Sequence, residues 1–176
     1  FVVPAADVIS IWGGARGTIV LKSDGTVWTW GANFGGKLGV GADATTLVRQ
    51  LVPAEVHGPG NISYLNSIKA VMGGEVHNVA LHSDGTVWAW GNNMFGQLGN
   101  GTTNSVSLPV KVSGLNSMTS LGGRGYHSLA IKSDGTAWAW GWNPNGEAGN
   151  GTSHFTTVPV QVGGLTNPIA VSGGYH

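Results

Sequence analysis

Three histidines recur in one sequence context, His77, His127 and His176, spaced about fifty residues apart. Imidazole is a common metal ligand, so histidines in register raise the question of a metal site. If the units that bear them lie side by side, equivalent atoms on neighbours are too far apart to share one ion at about 2.1 Å. The expectation is no metal. Carboxylates offer little more. Asp24, Asp84 and Asp134 each sit in a Ser-Asp-Gly turn, and Glu55, Glu75 and Glu147 stand alone in their motifs. There are no paired acids for glycoside hydrolysis and no Gly-x-Ser-x-Gly nucleophile elbow. Glycine is dense, but no Gly-Lys-Ser/Thr follows to make a phosphate loop. Neither a catalytic residue nor a cofactor is expected, and the chain reads as no enzyme.

The residues left for binding chemistry are aromatic and in loops. Six tryptophans, Trp28, Trp30, Trp88, Trp90, Trp138 and Trp140, recur at the same two places and read as core. Residues two apart share a strand face, so each pair should face one neighbouring sheet. Trp142 lies outside that register, in Gly141-Trp142-Asn143-Pro144. It is the better candidate for an exposed binding aromatic, with Asn143 beside it. His57 sits in an irregular stretch, 45–67, about ten residues longer than its counterparts. Arg124-Gly125 reads as an insertion before Tyr126-His127. Irregular segments map to loops, where binding residues concentrate, so His57, Arg124 and Tyr126 join the list. Asn61-Ile62-Ser63, Asn100-Gly101-Thr102 and Asn150-Gly151-Thr152 fit the glycosylation sequon, but the last two are the repeat's own turn chemistry.

The elements that position these residues are written three times. Ser23 to Gly31 reads Ser-Asp-Gly-Thr-Val-Trp-Thr-Trp-Gly, and returns nearly unchanged as Ser83 to Gly91 and Ser133 to Gly141. Each is a turn followed by a β-branched and aromatic strand, because Asp and Gly tolerate the positive φ of tight hairpins. Before it lies an alternating strand such as His77 to His82, and before that a short apolar strand ending in Gly-Gly. After it comes a Gly- and Asn-rich loop. Leu108-Pro109-Val110-Lys111-Val112 is taken to open the next unit, since proline suits a first or edge position. Four short strands per unit, repeated without helical periodicity, predict an all-β chain folded as a β-propeller of four-stranded blades.

Composition narrows the function classes. Charged residues make up 9% of 176, eight basic against eight acidic. A nucleic-acid binder needs a basic face, so no nucleic-acid partner is expected. No apolar run reaches the roughly 18 residues of a spanning helix, so no membrane insertion is expected. Cysteine is absent, which leaves the redox compartment open. The chain begins at Phe1 with no signal peptide in view, as a processed protein or a fragment would.

The blocks Gly-Gly-x-x-His-x-x-Ala-Leu, Ser-Asp-Gly-Thr-Val-Trp-Ala-Trp-Gly, Asn-x-x-Gly-Gln-Leu-Gly-Asn-Gly-Thr and Pro-Val-x-Val together resemble the regulator-of-chromosome-condensation repeat, over essentially the whole chain. Their near-identical wording resembles bacterial members more than the eukaryotic chromatin protein. The resemblance implies a seven-bladed ring, of which this chain supplies about three and a half blades, approximately 1–51, 52–107, 108–157 and a partial 158–176. It implies structural, hydrogen-bonding roles for His77 and His127. It also implies a protein partner: family faces bind a small GTPase for nucleotide exchange, or β-lactamases in secreted bacterial inhibitors. The reading is a non-catalytic interaction scaffold, secreted or at the cell surface, completed by self-association or by further blades of the same chain. Guanine-nucleotide exchange and a structural or adhesive surface module are the alternatives.

Overall fold

A computed structural model describes residues 7–41 and 46–174. The first sheet is β1 (Val8–Gly14), β2 (Gly17–Lys22), β3 (Val27–Ala32) and β4 (Arg49–Glu55). The second is β5 (Ile68–Gly73), β6 (His77–His82), β7 (Val87–Gly91) and β8 (Val106–Lys111). The third is β9 (Met118–Arg124), β10 (His127–Lys132), β11 (Ala137–Gly141) and β12 (Thr156–Gln161). Each is an antiparallel meander in chain order, as short hairpin connections require. Among the described residues there is no α-helix, and no helix long and apolar enough to cross a membrane.

The central hairpin of each sheet explains the repeated wording. Gly25, Gly85 and Gly135 take φ near +80°, the left-handed position that closes a three-residue turn. Asp24 Oδ1 accepts from the Thr26 backbone N–H at 3.0 Å and from its hydroxyl at 2.7 Å. Thr26 Oγ1 accepts in turn from the Trp28 indole N–H at 3.1 Å. The same relay recurs through Asp84, Thr86 and Trp88, and through Asp134, Thr136 and Trp138. Ser-Asp-Gly-Thr-x-Trp is thus one hydrogen-bonded turn.

The outer strands correct one boundary. Leu108 to Lys111 belongs to β8, which pairs with β7 (Ala89 opposite Val110), so it closes the second sheet instead of opening the third. β7 would otherwise present an unpaired edge. Pro53, Pro109 and Pro159 all lie in these outermost strands, beside a register shift, where a missing N–H is tolerated. Nor is Arg124-Gly125 an insertion. Gly73 pairs with Asn78 and Gly123 with Ser128, so the second and third units keep one constant offset through this turn. The Gly122-Gly123 pair is simply displaced by one position from Gly73-Gly74. The two strands expected to begin a fourth unit do not form among the described residues: 162–174 carries no strand. A ladder needs a partner, and the expected hairpin partner begins at Tyr175 and His176, outside the described residues. The segment still follows the pattern. The Val171 carbonyl packs so closely on β9 that a Cβ on Gly122 would meet it at 2.5 Å.

The core lies between sheets. Ile19, Leu21, Val27 and Val56 of the first unit meet Val71, Ala80 and Trp90 of the second. Met72, Val79, Leu81 and Leu98 of the second meet Ala130 and Trp140 of the third, with Trp138 packed at the margin. Trp90 and Trp140 are wholly buried, while Trp28, Trp88 and Trp138 are half-buried. Burial of large aromatics between sheets is what makes each unit depend on its neighbour.

Candidate protein-binding face

Strand direction sends two sets of loops to opposite ends of the sheets. One end carries the β1–β2, β5–β6 and β9–β10 turns and the long loops after β3, β7 and β11. The other carries the Asp-Gly hairpins and the inter-sheet connections. Arg124, Tyr126 and Trp142 come together at the first end. His57 does not: it follows β4 at the hairpin end, where it bridges Tyr64 and contacts Asn61.

The long loops are held by a buried asparagine. Asn143 Oδ1 accepts from the Ala148 N–H at 2.7 Å, and its amide donates to the carbonyls of Thr152 and His154, each at 3.0 Å. Asn93 does the same for its loop, accepting from Leu98 and donating to Thr102 and Asn104. Asn143 is therefore wholly buried and shapes the loop, which removes it as an exposed contact. A polar side chain three residues before a Gly-x-x-Gly is the signal of that role. Asn100 and Asn150 accept from Thr102 and Thr152, as expected of sequon-like turns.

Trp142 is half-buried. Phe95 packs edge-on to it with ring centroids 4.4 Å apart, and Tyr126 and Phe155 join at 5.7 and 6.5 Å from Phe95. Sequence reasoning missed Phe95 and Phe155, because the Phe95–Trp142 and Phe95–Phe155 ring contacts form between neighbouring units. Phe34, Met94 and Phe155 are exposed at this same end. So are Arg16, Arg49 and Arg124, which are all the arginines of the chain. Between Arg16, Phe34, Val48, Glu75, Val76 and Tyr126 lies a cavity of about 440 Å³.

Beneath this end two buried titratable groups meet. Lys37 is 3% exposed, and its Nζ donates to the carbonyls of Glu75 at 3.1 Å and Gly74 at 3.4 Å on the next sheet. Burial pulls its pKa down to about 8, opposed by the nearby Glu75 charge. His77 is fully buried, with Nε2 2.8 Å from Ser128 Oγ across the next interface. Ser128 gives its own proton to the Gln97 carbonyl at 3.1 Å, so Nε2 of His77 must be the donor. Nδ1 has no partner among the described residues, and burial, then the Lys37 charge, lowers the pKa to about 3. His77 thus joins the second sheet to the third. His127 is buried too, and His176 lies outside the described residues. Sequence reasoning missed Lys37; its only signal is a lysine where Gln97 and Glu147 stand in the later units.

A family model described as the regulator of chromosome condensation (RCC1) repeat matches residues 24–81 and 84–131, well over half the chain. The chain belongs to the RCC1 repeat family. A second RCC1 repeat model matches 68–97 and 123–147. The chain is similar to the human E3 ubiquitin-protein ligase HERC2, 35% identical over 102 residues, covering 58% of this chain and 2% of that protein. It is also similar to the mitochondrial RCC1 domain-containing protein RUG3 of Arabidopsis thaliana, 38% identical over 81 residues, 46% of this chain and 16% of that one. Among solved structures, yeast RCC1 (Prp20) bound to Kap60 superposes with a TM-score of 0.83 at 24% identity, over 96% of this chain and 40% of that chain. That likeness shows the propeller fold. The chain spans only a small part of these curated relatives, and under half of yeast RCC1. The RCC1 repeats here therefore form part of a β-propeller, as the sequence predicted.

Proposed function

We propose that this chain is a non-catalytic protein-interaction scaffold that binds through the loop end bearing Arg124, Tyr126 and Trp142. One observation carries the reading. That end carries exposed Phe34, Met94 and Phe155 and all three arginines, and Arg16, Phe34 and Tyr126 line a cavity there. Aromatic residues, methionine and arginine are the types enriched at interface centres. The backbone beneath is fixed by buried asparagines, so little order is lost on binding. Yeast RCC1 (Prp20), which shares the fold, is bound to Kap60 in one structure and was studied for binding to Gsp1p and histones in another. This supports a protein as the class of partner.

The test is capture by the purified chain, with bound proteins identified by mass spectrometry. Arg124→Glu and Phe155→Ser should each lower capture of a given partner, while Asp134→Ala at the hairpin end should not. Loss with the hairpin-end variant alone would overturn the assignment. Nucleotide exchange on a small GTPase is the second reading, favoured by the fold shared with yeast RCC1; acceleration of nucleotide release by a captured GTPase would establish it. The further reading of a secreted or surface-displayed bacterial protein rests on the near-identical repeats, and fractionation of the source cells tests it.

A further inference from the structure

The loop end carries a hollow between Ala32 and Phe34 of the first unit and Val76 and Tyr126 of the next two. Gly31, Gly91 and Gly141 hold the same register opposite Gly17, His77 and His127. The residues that follow them, Ala32, Asn92 and Trp142, are therefore equivalent, as are Arg16, Val76 and Tyr126. In the third unit Trp142 lies against the Phe95 ring at 4.4 Å and the Tyr126 ring at 6.4 Å. In the first unit Ala32 supplies only a methyl group. Ala32 lines the cavity of about 440 Å³, whose apolar walls are Phe34, Val48, Val76 and Tyr126.

We propose that this hollow receives a planar aromatic side chain, Trp or Phe, from an extended peptide segment of the protein partner, packed among aromatic rings as the Trp142 indole is elsewhere on this end. The walls are apolar and aromatic, which suits ring burial and edge-on packing. Charge sets the rest of the ligand. Arg16 lines the hollow and is exposed; among the described residues it pairs with no carboxylate. Its backbone is fixed, because its carbonyl accepts from the Ala32 N–H at 2.7 Å. Glu75 stands among the other lining residues. A carboxylate is therefore favoured beside the ring on the Arg16 side and disfavoured toward Glu75. The ligand is an acidic residue adjoining an aromatic anchor. This rests on the reading of the loop end as a protein-binding face.

The probe is the peptide Gly-Ser-Asp-Trp-Ser-Gly, titrated into the full chain while methyl resonances of Ala32, Val48 and Val76 are followed by NMR. Those three methyls should shift together. Replacing the peptide's Trp by Ala should abolish the shifts, and replacing its Asp by Ala should weaken binding by about tenfold. Ala32→Trp, which copies the third unit, should close the hollow; Phe34→Ser, at an exposed wall, gives an independent loss. Absence of shifts at all three methyls, or shifts indifferent to both variants, overturns the proposal. A random-peptide display selection separates it from the broader reading. Selected peptides should carry an aromatic beside an acid and be lost with Ala32→Trp. Peptides lost only with Arg124→Glu would sink the hollow but keep the face; peptides indifferent to both would sink both.

Discussion

The indole N–H of Trp90 donates to the backbone carbonyl of Lys37, on the sheet before it, at 3.0 Å. One interface later the Trp140 indole donates to the Gln97 carbonyl at 2.9 Å. Residues 78 and 128 reach the same two carbonyls, through the Asn78 amide at 2.7 Å and the Ser128 hydroxyl at 3.1 Å. The second and third sheets are thus each latched to the sheet before by a buried aromatic and a buried polar group sharing one acceptor. The acceptor is presented by the Gly-x-x-Gly loop, which turns back through Gly36 and Gly39 or Gly96 and Gly99.

Trp90→Ala should cost about 3–5 kcal/mol, as a large-to-small core change, and should leave the Lys37 carbonyl without one of its donors. Trp90→Phe should cost less, since ring bulk remains and mainly a hydrogen bond is lost, about 1 kcal/mol or somewhat more. Trp142→Ala removes a half-buried ring and should cost well below Trp90→Ala. Urea denaturation of the three variants ranks them; equal losses for Trp90→Ala and Trp142→Ala would contradict the burial pattern.

The repeats made the fold legible because one interface is written more than once. Trp90 and Trp140 could be placed in the core from register alone, and the Asp-Gly hairpins from turn chemistry. Two kinds of residue are hidden: those that differ between units, such as His57 and Lys37, and one repeated residue, Asn143, whose role is a pattern of hydrogen bonds. A polar residue between Trp and Pro reads as surface, and the hydrogen bonds of Asn143 to residues five to eleven positions on show only when the repeated Asn is set beside its Gly-x-x-Gly. His57 was grouped with Tyr126 because both are irregular; only strand direction shows that they lie at opposite ends. Lys37 carried no motif, and its burial depends on a neighbouring sheet supplying carbonyls.

Lys37 makes stability rise with alkaline pH. Its folded pKa is depressed from the ordinary 10.5 to about 8, so the unfolded chain holds the proton more tightly. Between those values the unfolded state is protonated and the folded state is not, and stability increases with pH. The full effect is on the order of 3 kcal/mol. Lys37→Gln, which installs the residue of the second unit, should flatten that rise. Thermal unfolding from pH 7.5 to 10.5 for both proteins is the measurement, and an unchanged slope would contradict it.

His77 acts at the acid side. Its folded pKa is lowered from 6.5 to about 3, so protons favour the unfolded chain throughout that window and stability falls as pH falls through it. A proton on Nδ1 would sit buried with no acceptor among the described residues. Asp84 and Asp134 are lowered from 3.8 to about 2 and Glu147 is lowered from 4.5, so these carboxylates act below about pH 5 and the loss above it belongs to the histidine. His77→Gln should lose less stability than the parent between pH 6.5 and about pH 5. A parallel decline in both proteins would show that His77 is not the group responsible.

The first sheet leaves uncovered the face that the later sheets bury. Val71 of β5 is 4% exposed against the first sheet, while Ile11, its counterpart in β1, is 64% exposed and Ile9 61%. Trp30, the counterpart of Trp90 and Trp140, is only half-buried. Repeat units stabilise one another by stacking, and a contiguous exposed apolar face marks an interface or an aggregation hazard. Residues 1–176 purified alone should therefore bind an exposed-hydrophobe dye and self-associate, and Ile9→Ser with Ile11→Ser should reduce both while leaving the β-sheet circular dichroism intact. Fusing one further repeat unit ahead of β1, with the Gly-x-x-Gly loop that supplies an acceptor for the Trp30 indole, should quench dye binding and raise the unfolding midpoint. A dye-silent monomer that unfolds cooperatively without that unit would show that the face needs no cover.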